Sequence, residues 1–171
     1  MLPATQPKYS SGLARPVLPQ ARGGTVSGRD RDQVRTRKRV AGVEIPIVSI
    51  VDDDASQRTA TARLLRSMGF ATYAFASARE FLFSPRLRDT CCLIADVEMP
   101  GMSGVKLQEH LIAQGTNTPM IFITAFPEDR IREQALRAGA IGFLAKPFDE
   151  TQLLECVERA LAMHRKGQDD T

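Results

Sequence analysis

The chain has 171 residues, 43% of them hydrophobic and 25% charged, which allows one core of ordinary domain size plus a tail. No apolar run approaches the roughly 18–20 residues that cross a bilayer. Pro3, Pro7, Pro16 and Pro19 stand where a signal peptide would carry its apolar stretch, so a cytoplasmic protein without membrane contact is expected. The net charge of +3 is unevenly placed: residues 1–44 hold nine basic and three acidic groups, and the remainder is mildly acidic.

Residues 1–44 are rich in Pro, Gly, Ser, Thr and Arg and show neither strand alternation nor a helical stripe. Such a segment cannot offset its ordering entropy by burial, so it reads as a disordered basic extension. Its run Arg35-Thr36-Arg37-Lys38-Arg39 is the one place suited to nucleic acid or another polyanion; the plainer reading is a solvated leader. Cys91, Cys92 and Cys156 have neither disulfide nor metal-ligand spacing and read as small core residues in a reducing compartment.

From Ile45 the texture becomes regular. Ile47 to Val51 is an apolar, β-branched run suited to a strand covered on both faces. Ser56 to Met68 has Ala60, Leu64, Leu65 and Met68 at helical spacing, with Gly69 as a stop. Ala71 to Phe75 reads as a second strand. Ser77 to Phe83 reads as a short helix with Ser77 and Glu80 as a capping box, ending before Pro85. Cys91 to Ala95 is a third strand, followed by a loop from Met99 to Gly104 and a helix carrying Val105, Leu107, Leu111 and Ile112. Met120 to Ile123, then Glu128 to Arg137, Ile141 to Leu144 and Thr151 to His164 complete the series. Five strands alternating with five helices imply an α/β, doubly wound parallel sheet with its ligand site beyond the carboxyl ends of the strands.

Those ends carry chemistry. Asp52, Asp53 and Asp54 follow the first strand, Asp96 the third, Thr124 the fourth and Lys146 the fifth. Crowded carboxylates need a cation, and a hard divalent ion with oxygen ligands, Mg²⁺, suits them. Asp96 is placed to act as nucleophile toward a phosphoryl group and form an acyl phosphate. Mg²⁺, the Lys146 ammonium and the Thr124 hydroxyl would each take a phosphoryl oxygen. Asp54 and Ser103 also fit simple helix caps.

On Ile50-Val51-Asp52-Asp53-Asp54, Asp96-Val97-Glu98-Met99-Pro100-Gly101-Met102-Ser103-Gly104, Ile123-Thr124-Ala125 and Ala145-Lys146-Pro147-Phe148, the chain resembles the receiver domain of two-component response regulators. The helix Ser77 to Leu82 looks like the FixJ-type branch. The resemblance covers about residues 45–165, leaving 166–171 as a C-terminal tail with no room for an output domain, as in a stand-alone receiver or a truncated relative of a DNA-binding regulator. It implies a flavodoxin-like (βα)5 sheet of strand order 2-1-3-4-5 and a sensor histidine kinase as phosphodonor. By position, Asp96 is the phosphoacceptor and Asp53 a direct metal ligand. Asp52 would act through water, and the Glu98 backbone carbonyl would complete the protein ligands. Lys146 would bind the phosphoryl group and precede a cis bond to Pro147. Thr124 and Phe143 would be the switch pair.

Phe126 and Glu98 occupy the positions that tune acyl-phosphate lifetime, and bulky Phe126 points to slow self-catalysed dephosphorylation. The output would be contact with an unknown downstream protein, or homodimerisation, through the face of the fourth helix, fifth strand and fifth helix. Three other readings were open: a haloacid-dehalogenase-type phosphatase using Asp52 and Asp54, an interaction module independent of phosphorylation, and a regulator acting through its basic tail.

Overall fold

A computed structural model describes residues 39–40 and 43–169, and the side chains of residues 45–167. The expectation of disorder over residues 1–38, and the basic run as far as Lys38, lie outside the described residues. Within the segment read as disordered, Arg39–Val40 pairs antiparallel with Val43–Glu44.

The five apolar runs form one sheet: β1 (Ile47–Val51), β2 (Ala71–Phe75), β3 (Cys92–Asp96), β4 (Met120–Thr124) and β5 (Gly142–Ala145). Their order is β2-β1-β3-β4-β5, and every ladder is parallel. This is the doubly wound flavodoxin-like arrangement expected. Every residue of β1, β3 and β4 is buried, because helices cover both faces of the sheet. Neighbouring residues therefore serve opposite cores. Leu93 and Phe122 pack with Phe75, Phe81, Leu107 and Leu111, while Ile94, Ile121 and Ile123 pack with Ile50, Leu65, Leu153 and Val157.

The helices are α1 (Ala55–Ser67), α2 (Ala78–Leu82), α3 (Gly104–Ala113), α4 (Asp129–Arg137) and α5 (Glu150–Asp169). Asp54, Ser77 and Ser103 cap the first three by accepting from the backbone N–H three residues on. The Glu80 carboxylate reaches back to the Ala76 N–H at 2.7 Å, one residue beyond the capping serine. At two positions the apolar spacing does not mark the buried face. Ala60 is exposed, because the face α1 buries is Thr61, Ala62 and Leu65. Ile112 is also exposed, and Gln108 is buried in α3 instead, its Nε2 donating to the Ala135 and Ala138 carbonyls at 3.2 and 3.4 Å. α5 continues to Asp169, through residues read as a tail; no proline interrupts it, and Lys166 complements the negative end of the helix.

The strand register sets the position of the site. Val51 lies opposite Ala95, Asp96 opposite Ile123, and Thr124 opposite Ala145. Asp52, Asp96, Thr124 and Lys146 therefore come to one rim. α3 begins directly against this rim. A Cβ on Gly104 would collide with the Asp96 carbonyl oxygen and lie 3.1 Å from the Phe122 ring, so only glycine lets α3 approach β3 this closely. Gly104→Ala should cost about 1–3 kcal/mol, seen as a lower urea midpoint at unchanged slope.

Candidate functional site

Each acidic side chain owes its place to a strand end. Asp52 follows the last paired residue of β1, and its N–H donates to the Phe75 carbonyl at 3.1 Å. Its carboxylate is fully buried and accepts from the Asp54 N–H at 2.8 Å. Asp96 ends β3, and its Oδ1 accepts from the Glu98 N–H at 3.0 Å, which folds the following loop back over it. Asp53 is exposed. One carboxylate oxygen each from Asp52, Asp53 and Asp96 lie within 4.8 Å of one another. Three hard oxygen donors at this separation, one of them open to solvent, suit a divalent metal ion.

Lys146 follows the edge strand β5. Its Nζ lies 2.7 Å from Asp96 Oδ2 and 3.1 Å from Asp52 Oδ2, and both carboxylates are largely shielded from water. Burial alone would lower its pKa, but the hydrogen bonds and charges of Asp96 and Asp52 outweigh burial and raise it above the usual lysine value. For Asp52 the balance tips the other way. Burial pushes its carboxyl above the ordinary range, and the Lys146 ammonium and the Asp54 N–H only partly oppose this. The Lys146 N–H donates to the Thr124 carbonyl at 2.7 Å, and the Lys146–Pro147 bond is cis, as expected.

Thr124 is fully buried, and its Oγ1 accepts from the Phe126 N–H at 3.0 Å, leaving its own hydroxyl proton free to donate. Phe126 itself is 68% exposed. Phe143 is half-buried on β5, its ring 6.3 Å from that of Phe122. Asp54 caps α1, its Oδ1 accepting from the Gln57 N–H at 2.8 Å. An open cleft of about 660 Å³ runs from Asp53 and Glu98 toward Lys106 and Gln134. Sequence reasoning passed over Arg58, whose Nη1 donates to the Asp52 and Asp53 carbonyls at 2.6 and 3.2 Å. Its position four residues after the Asp54 cap was the available signal, since that spacing lies over the preceding loop.

Residues 48–158 match the family model described as response regulator receiver domain. The chain belongs to that family. Nodulation protein W of Bradyrhizobium diazoefficiens is 40% identical over 123 residues, covering 72% of this chain and 54% of that protein. Transcriptional regulatory protein FixJ of Rhizobium meliloti is 40% identical over 114 residues, covering 66% and 55%. The chain thus spans about half the length of the curated relatives it matches. Among solved structures, FixJ-N superposes with a TM-score of 0.64 at 36% identity, covering 70% of this chain and 96% of that one. The Vibrio cholerae chemotaxis protein CheY4 gives 0.62 at 28%, covering 68% and 99%. The FixJ-type resemblance is thereby supported in both sequence and structure. Receiver domains work in two-component signalling between sensor kinases and downstream targets, and this chain carries one. No helix among the described residues is long and apolar enough to cross a membrane.

The receiver's buried Asp52 makes a sign-specific prediction. A carboxyl whose folded pKa is raised stabilises the fold fully below its unfolded value near 3.8 and loses that contribution as pH rises through the folded value. At neutral pH, in chelator, ionised Asp52 therefore costs stability. Asp52→Asn should raise the metal-free melting temperature at pH 7–8, and the gain should shrink as pH falls toward 4, measured by thermal denaturation followed by circular dichroism.

Proposed function

We propose that Asp96 of this receiver accepts a phosphoryl group from a phosphohistidine of a sensor histidine kinase. The observation that carries this reading is the Lys146 ammonium clamped between Asp96 and Asp52, with Asp53 beside them at the open rim. An Asp96 carboxylate oxygen attacks phosphorus, the phosphorus–nitrogen bond of the donor breaks, and the histidine leaves as a neutral imidazole after taking up a proton. The ion best suited to the oxygen set is Mg²⁺; Asp53, Asp96 and the Glu98 backbone carbonyl would hold it, with Asp52 acting through water, and it would neutralise charge on the phosphoryl oxygens. Lys146 supplies a second cation. The Thr124 hydroxyl donates to a phosphoryl oxygen, and Phe143 shifts inward as it does so. The face of α4, β5 and α5 then contacts a downstream protein or a second copy of the chain in the cytoplasm. The basic run near Arg37 is a separate, weaker route to nucleic acid.

Incubation with acetyl phosphate and Mg²⁺ should add one phosphoryl mass to the wild type and none to Asp96→Asn, and chelation should abolish the gain. A wild type that gains no mass would instead mark an interaction module that works without phosphorylation. The acyl phosphate should outlast seconds, because Phe126 stands two residues past the Thr124 hydroxyl and obstructs the hydrolytic water. Phe126→Ala should shorten its half-life several-fold, followed by release of inorganic phosphate from purified protein.

A further inference from the structure

Arg58 lies one turn beyond the acidic run Asp52-Asp53-Asp54. It is the fourth residue of α1, close to the positive end of the helix dipole, in a helix whose first turn carries no acidic residue. Its side chain is half-buried. One nitrogen, Nη1, donates to two successive backbone carbonyls, Asp52 at 2.6 Å and Asp53 at 3.2 Å. Both carbonyls lie beyond Val51, the last residue of β1 in register with its neighbours. The Asp52 N–H still bonds to the Phe75 carbonyl of β2, but the Asp52 and Asp53 carbonyls lie past the last paired residues, and Arg58 takes both.

We infer that Arg58 is a positioning residue for the divalent-metal site, fixing through these two carbonyls the direction in which Asp53 presents its carboxylate. The inference rests on the proposed metal reading of the acidic cluster. Two physical effects of Arg58 on metal binding have opposite signs. As a bare charge, a guanidinium near the site repels a divalent cation, so its loss would tighten binding. As an orienting partner of the ligands' backbone it preorganises them, and loss of such outer partners weakens metal binding by about 10–100-fold. The bond at 2.6 Å and the second to the same nitrogen favour the orienting effect.

Calorimetric titration of Mg²⁺ into the metal-free protein separates the two, without any phosphodonor. Arg58→Ala should weaken binding about 10-fold or more. Arg58→Lys, which keeps the charge but not the planar reach, should also bind several-fold more weakly than wild type. Both variants should retain cooperative thermal unfolding without metal, so the loss is not one of folding. Should Arg58→Ala fail to fold, Arg58→Lys decides alone. Unchanged or tighter binding by Arg58→Ala would overturn the inference, as would full affinity in Arg58→Lys. Absence of Mg²⁺ binding by the wild type would instead remove the metal reading on which it rests.

Discussion

Three carboxylates within 4.8 Å of one another repel by about 3 kcal/mol or more per pair at an effective dielectric near 20, and Lys146 is the group that makes their assembly tolerable. Its ammonium spans Asp96 and Asp52, which belong to different strands, from the end of a third. The bridge is short on both sides, yet it does not reach Asp53, and Asp52 is still disfavoured as an anion. One positive charge is therefore insufficient for the cluster. The residual negative charge suits the rim to a divalent cation.

The fold exists around that bridge. Parallel strands need crossovers, and the crossovers place helices on both faces, so β1, β3 and β4 are buried throughout and, apart from Ser49, which is bonded to Thr90, apolar up to the rim. Polarity then appears abruptly at the carboxyl rim. Because the strands are in register, that change occurs at the same height in each, and Asp52, Asp96, Thr124 and Lys146 meet without any long excursion of the chain. Gly104 and Arg58 refine the rim from opposite sides: one lets α3 approach the Asp96 backbone, the other holds the backbone of the acidic loop.

A switch also needs a part that can move. Thr124 joins the site to the region that would carry the output. Its carbonyl receives the Lys146 N–H and its hydroxyl oxygen the Phe126 N–H at the start of the α4 loop. α4 buries only Ala135 fully and has no side-chain cap at Glu128, so little apolar area ties it down. Gln108 holds its far end by two hydrogen bonds of 3.2 and 3.4 Å. A weakly anchored helix beside a reorientable hydroxyl is the physical form that a phosphorylation-dependent contact surface requires.

The sequence by itself determined the alternation of strands and helices, the rim residues and the family. Apolar β-branched runs ending in Asp52, Asp96 and Thr124 are local signals that need no partner to be read. Three-dimensional structure decided what depends on distant contacts. Ala60 and Ile112 carried the right type at the right spacing, yet the packing of α1 and α3 turned them outward and brought Gln108 in. Arg58 belongs to no motif, and its role appears only where the end of β1 places two carbonyls within its reach. Gly104 looked like a loop residue until α3 was seen to start against the Asp96 carbonyl. Periodicity specifies which face of an element is apolar, but only the meeting of elements shows which backbone groups remain to be satisfied and which side chain reaches them.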